Sequence, residues 1–219
     1  MAASVKRNYR SELRAAQALD TRRSIVSAAS KLFIEDGYGA TTIDAVAQAA
    51  GVSRKTVFTA VGGKLDLLKV ALDWAVAGDD RPIAVADRGE MRQVMAEDDA
   101  VVFLRGCAGT MVAISSRVAG LAHALEVAAG IDPAACDLVE QGRRHRLDDA
   151  RMIVDRLRAL GALSSELTSN EAVDLVWLAT DPALFDRLVR VRGWSRRRFE
   201  KWLSRFLIGQ LLNTGHAGT

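Results

Sequence analysis

Three prolines in 219 residues leave long stretches rich in Ala, Leu, Val and Arg without a backbone obstacle to helix. Nothing in the sequence alternates apolar and polar residues as a half-buried strand would, and there is no internal repeat or low-complexity tract. Two cysteines, Cys107 and Cys136, share no CxxC or metal-ligand spacing and read as buried or idle thiols of a reducing compartment. No uncharged apolar stretch reaches the ~20 residues of a membrane span. The first twenty residues carry Lys6, Arg7, Arg10 and Arg14 without an apolar segment, which argues against a secretory signal. A cytoplasmic protein with no membrane partner is therefore expected. Three histidines lack motif-spaced Cys, Ser or Asp partners, and neither an HExxH motif nor a Gly-rich phosphate loop occurs. Hence no catalytic residue, metal site or cofactor is expected, and the chain is not read as an enzyme.

Apolar residues make up 49% and charged residues 26%, the balance of a globular chain with a sizeable core. The net charge of +3 is unevenly placed. Residues 1–70 hold 11 Lys and Arg against 6 Asp and Glu, whereas the remainder holds 19 against 21. The excess of cations at the N-terminal end suggests a polyanionic partner there.

Along the chain, residues 1–20 form a basic arm without a clear apolar stripe. Thr21 is expected to cap a helix whose buried side is Ile25, Ala28, Ala29, Leu32 and Phe33, ended by Gly37. Thr42 caps a short helix with Ile43, Val46, Ala47 and Ala50 inward, and Gly51 breaks it. Ser53 caps the next, carrying Val57, Phe58 and Val61 to Gly62 and Gly63. A fourth helix begins near Lys64, buries Leu65, Leu68, Leu72 and Trp74, and ends near Gly78. The stretch Gly78-Asp79-Asp80-Arg81-Pro82 is the linker. Beyond it the sequence again predicts only helices: one around Met91, Val94 and Met95, a central buried one from Asp99 to Gly130 bent at Gly106, Gly109 or Gly120, and one from Asp132-Pro133 to Gly161. Ser169 or Asn170 caps a helix bearing Ala172, Leu175, Val176 and Ala179; Asp181-Pro182 starts a short one, and Ser195 caps the last.

The segment Thr41–Lys64, TTIDAVAQAAGVSRKTVFTAVGGK, carries the function. Two short helices joined by a Gly-containing turn form a helix-turn-helix. Val57 and Val61 tie the second helix to the domain and leave Arg54, Lys55 and Thr59 outward, where a major groove admits them. Arg54 or Lys55 suits guanine O6 and N7, while the Thr42 and Ser53 hydroxyls and Lys64 suit phosphates.

Residues 21–77 resemble the DNA-binding domain of the tetracycline-repressor (TetR) family. The resemblance rests on RSIVSAASKLFIEDGY, Gly39, the pair Thr41-Thr42, AQAAGVS, SRKTVF and the Lys-initiated fourth helix. It covers about a quarter of the chain and implies an all-α fold: an N-terminal three-helix helix-turn-helix domain and a larger C-terminal helical domain for ligand binding and dimerisation. It also implies that Thr42 touches phosphate, that Arg54 and Lys55 read bases with Thr56 and Thr59 nearby, and that Lys64 contacts phosphate. The family usually has tyrosine where Phe58 stands and often histidine where Ala60 stands, so Phe58 keeps the ring without the hydroxyl. The expected domains are the arm at 1–20, the DNA-binding domain at 21–77 and the effector and dimerisation domain at 78–219.

In the C-terminal domain Met91, Met95, Phe103, Met111 and Trp177 are candidates to line a small-molecule cavity. Leu175, Phe199, Trp202 and Phe206 are candidates for a homodimer interface, which the resemblance implies is a four-helix packing of two copies. A two-fold dimer would present two reading heads about 34–36 Å apart to a palindromic operator in double-stranded DNA. The expected function is a repressor released by a small molecule. The alternative is a ligand-blind DNA-binding protein whose C-terminal domain only dimerises.

Overall fold

The computed structural model describes residues 2–81 and 89–213. Pro82 of the expected linker lies outside them, as do the side chains of Lys6, Arg7 and Arg10. The order is α1 (Ala2–Glu35), α2 (Gly37–Ala40), α3 (Ile43–Ala50), α4 (Arg54–Ala60), α5 (Lys64–Ala77), α6 (Gly89–Met95), α7 (Ala100–Ala129), α8 (Pro133–Ala159), α9 (Ser169–Ala179), α10 (Pro182–Phe185) and α11 (Arg196–Leu211), with a π-helical turn at Asp186–Val191 before α11. The fold is all-α, and no strand occurs among the described residues beyond one isolated bridge, Leu163 to Leu212.

Local chemistry explains most of the boundaries. Asp99, Asp132, Asp181 and Ser195 each accept a hydrogen bond from a first-turn N–H with the side chain, which satisfies a donor the helix leaves orphaned. Two expected caps are corrected. Thr21 lies inside α1, where its hydroxyl donates to the Gln17 carbonyl at 2.8 Å, so the helix runs unbroken through the basic arm. At α9 the cap is Thr168, not Ser169 or Asn170. Its reciprocal bonds with Glu171 form a capping box and hold the Glu171 carboxyl below its ordinary range.

Two apolar cores result. The first gathers Ile25, Val26 and Phe33 of α1 with Tyr38, Val46, Val57, Leu67 and Leu68. It is completed by Leu121, Ala124, Leu125 and Ala128 of α7 and by Ala135 and Val139 of α8. The second holds Phe103, Leu104, Cys107 and Ala108 of α7, Ile153, Val154 and Leu157 of α8, Val176 of α9, and Phe199, Leu203 and Leu207 of α11. Helix α7 therefore belongs to both. By length and composition α7 is apolar enough to cross a membrane, although Arg105, Arg117 and Glu126 divide it into shorter uncharged runs. Its apolar side chains are instead divided between the two protein cores.

Two of the α7 glycines serve close approach. A Cβ at Gly106 would meet Val94 of α6 at 3.0 Å, and one at Gly120 would meet Arg190 at 3.0 Å and Ile34 of α1 at 3.1 Å. Helix α8 runs back along α7: Arg156 donates to the Glu97 carbonyl and to Asp98 at the start of α7, and Arg143 pairs with Glu126 near its end. Replacing Gly120 with valine is expected to overpack the α1–α7 contact and cost ~1–3 kcal/mol, read as a lower urea midpoint with an unchanged slope.

Candidate nucleic-acid interface

Thr42 and Ser53 open the two helices of the motif. The Thr42 hydroxyl accepts from Ala45 N–H at 3.1 Å and the Ser53 hydroxyl from Thr56 N–H at 3.0 Å, both from extended backbone. Between them Gly51 takes φ 68°, and the Val52 N–H returns to the Ala47 carbonyl at 2.9 Å. A left-handed residue followed by that long-reach bond ends α3 and turns the chain into α4.

Val57 is fully buried and fixes the roll of α4. That roll leaves Ser53, Arg54, Lys55, Phe58 and Thr59 exposed, with Thr56 half-buried. Arg54 donates to Asp44 of α3 at 2.8 Å, and its guanidinium lies 5.6 Å from the Phe58 ring centre. With both partners well exposed, that pair contributes little to stability. Lys55 makes no ion pair among the described residues. The Thr59 hydroxyl donates back to the Lys55 carbonyl at 2.9 Å, and Thr56 shares a 2.8 Å hydroxyl contact with Ser53.

Lys64 sits differently from the others. Its ammonium stands 4.3 Å over the Tyr38 ring and donates to the Gly39 carbonyl at 3.2 Å, which ties α5 to α2. Partial burial lowers its pKa, and burial raises that of the Tyr38 phenol, with Asp132 adding to the effect. Lys64 thus braces the domain as well as presenting charge. Sequence reasoning missed the residues that support the motif from outside it. Arg22 of α1 donates to the Ala60 carbonyl at the end of α4 (2.7 Å), and Ser24 donates to the Ala50 carbonyl at the end of α3 (3.3 Å). Arg117 of α7 donates to the Ala75 and Val76 carbonyls at the end of α5 (2.7 and 3.3 Å). These contacts join residues 26 to 42 positions apart and leave no local signature.

Four of the candidate ligand residues share the second core: Phe103 lies in it, and Met95, Met111 and Trp177 pack against it. Met91 and Met95 lie on α6, whose neighbour Val94 packs against Gly106, near the start of α7. Trp177 donates its indole N–H to the Arg143 carbonyl and stacks under Arg146, at the α8 level that faces the end of α7. Phe103 is fully buried in the second core, and Met111 packs against that core from outside. The interface candidates also divide. Phe199 is 2% exposed and meets Phe185 edge-on at 5.3 Å, so its ring belongs to the subunit's own core and not to a docking face. Leu175, Trp202 and Phe206 are half-buried, the two rings stacked at 5.7 Å, and Leu178 beside them on α9 is 55% exposed.

An α-helical unit that caps, turns and exposes a cationic helix end in this way is a helix-turn-helix domain. Residues 25–71 match the family described as bacterial regulatory proteins, tetR family. Two curated relatives from Pseudomonas putida, the HTH-type transcriptional regulator SrpR and the uncharacterized HTH-type transcriptional regulator TtgW, are each 40% identical over 58 residues. That segment is 26% of this chain and spans 27% of SrpR and 43% of TtgW. Among solved structures, SmeT, the repressor of the Stenotrophomonas maltophilia multidrug efflux pump SmeDEF, aligns with a TM-score of 0.64 at 16% identity, covering 90% of this chain and 93% of SmeT. The SmeT–triclosan complex aligns at 0.66 with 17% identity, covering 91% of this chain and 95% of that one. The fold of these structures therefore extends over nearly the whole chain.

Since both cap hydroxyls satisfy backbone donors, Thr42→Ala and Ser53→Ala are each expected to lower stability by ~0.5–2 kcal/mol in chemical denaturation, with glycine at either site costing much less.

Proposed function

We propose that this chain is a DNA-binding regulator of transcription, a repressor that acts as a cytoplasmic homodimer on a palindromic operator and is released by a small molecule. The observation that carries the reading is the roll of α4: buried Val57 on one side, with Arg54 and Lys55 exposed at the N-terminal end on the other. Arg54 and Lys55 read base edges, with Thr56 and Thr59 beside them. The hydroxyls of Thr42 and Ser53, and the ammonium of Lys64, hold phosphates and set the register. Phe58 adds apolar contact and no hydroxyl. Arg54 must exchange Asp44 for a base, so Asp44 is the built-in competitor of that contact.

The dimer uses α9 and α11, with Leu175, Leu178, Trp202 and Phe206 on the contact face. A small molecule in the C-terminal domain acts through α7, which shares its core with the DNA-binding domain and grips α5 through Arg117. It shifts the spacing of the two heads only by the difference in its affinity for the two arrangements, ~1–3 kcal/mol. SmeT is the repressor of a multidrug efflux pump and forms a complex with triclosan, which supports the repressor and small-molecule parts of this reading. The full burial of Phe103 within the second core favours a second reading, a ligand-blind DNA-binding dimer. Mobility shifts on the selected operator, with and without a panel of apolar compounds, separate the two.

Selection of bound DNA from a random pool is expected to return a palindrome. If a dimer neutralises about ten phosphates, log affinity falls with log salt at a slope near −9; a slope near zero removes the DNA reading. Arg54→Ala is expected to cost ~1–3 kcal/mol at one base position and relax preference there. Arg117→Ala is expected to leave operator affinity nearly intact while shrinking the shift that an active compound causes, measured as the ratio of affinities with and without it.

A further inference from the structure

Away from the helix-turn-helix, cations crowd one side of α11 and the facing edge of α7. Arg105, Glu200, Lys201, Ser204 and Arg205 line a cleft of about 560 Å3. A second, of about 320 Å3, is lined by Ser195, Arg197, Arg198, Lys201 and Arg205. Lys201 and Arg205 are common to both, so the two form one continuous groove.

Several arginines elsewhere are paired with carboxylates. Arg23, Arg54, Arg143, Arg146, Arg156 and Arg190 each hold a carboxylate oxygen within 3.0 Å. Along the groove Arg105, Arg197, Arg198, Lys201 and Arg205 form no ion pair among the described residues, although Glu200 stands beside them. Arg197, Lys201 and Arg205 recur at four-residue spacing on one helix face, where like charges repel. Cations in the first turn of α11 also oppose the helix dipole, so helix stability does not account for them. Two of the guanidinium groups are already oriented. Arg198 lies 4.0 Å over the Trp194 ring, and the Arg205 Nε donates to the Lys201 carbonyl at 3.2 Å, which leaves both Arg205 Nη groups without an acceptor among the described residues.

Repulsion among five unpaired cations around a cleft is relieved by an anion. We infer that this groove binds a small polyanion, a metabolite bearing two or more phosphate groups. Arg105, Arg198, Lys201 and Arg205 take the phosphates, and Ser204 with Glu200 takes a hydroxyl-bearing remainder. The volume falls within the roughly 300–1,000 Å3 of small-ligand sites. Operator DNA is a poor fit, because Arg105 lies roughly 22 Å along α7 from Gly120, where that helix meets α1. The inference stands independently of the DNA reading.

The test is calorimetric titration of the full-length protein with inorganic tripolyphosphate at fixed salt. The wild type is compared with Lys201→Ala/Arg205→Ala, with Arg105→Ala, and with a charge-matched control, Arg151→Ala/Arg158→Ala, each shown to be folded by its melting curve. Saturable binding is expected in the wild type and the control, weakened at least about tenfold in the groove variants. Equal weakening in groove and control variants would reduce the effect to diffuse charge and overturn the site. So would absence of binding to the wild type. If the groove double variant bound no more weakly than the wild type but sedimented as a smaller species, the cations would be assigned to an interface between copies of the chain and the site would likewise fall.

Discussion

The arrangement depends on the division of α7 between two cores. Its first half is buried with α8, α9 and α11, and its second half, through Leu121, Ala124 and Leu125, closes the core that Ile25, Phe33 and Val57 begin. A three-helix head of this size buries little apolar surface by itself, and α7 supplies a wall it lacks. The same helix reaches across through Arg117 to the Ala75 and Val76 carbonyls, two acceptors at the end of α5 that lack intrahelical partners. Apolar burial and a directional polar grip act in parallel, so the two halves of the molecule are mechanically one along α7.

In the helix-turn-helix itself, each polar group serves the fold before it serves a ligand. Thr42 and Ser53 accept from their own helices, and Ser53 also shares a hydroxyl contact with Thr56. Arg54 rests on Asp44, and Lys64 on the Tyr38 ring. Such groups are held near one geometry without a partner, which lowers the ordering entropy an encounter must overcome. Arg22 and Ser24, two residues apart on α1, hold the carbonyl ends of α4 and α3, so a shift of α1 reaches both helices together.

How much of this can be read from the sequence follows the range of the interactions. The glycine stops at Gly37, Gly51, Gly78 and Gly161, all at positive φ, and the caps Thr42, Ser53, Asp132 and Ser195 are written within four residues of where they act. Helix α4 and its exposed cations are legible for the same reason. Thr21 misleads because a threonine that can cap can equally return its hydroxyl to the preceding turn, and the Ala-rich run before it favours continuing the helix. Thr168 is masked by the two capping types that follow it, although Glu171 three positions on is the sign of a capping box. The grips of Arg22 and Arg117 join distant segments, and no periodicity encodes them. Phe199 reads as part of a docking face because an apolar stripe looks alike whether its cover is the same subunit or another.

The two thiols have opposite surroundings. Cys107 is buried in the second core, and desolvation pushes its pKa up to about 12, which leaves almost no thiolate at neutral pH. Cys136 is exposed on the first turns of α8, beside the hairpin that joins α8 to α7. The native chain therefore carries a single addressable sulfhydryl, so a maleimide dye or spin label would report from that hairpin without any engineered cysteine.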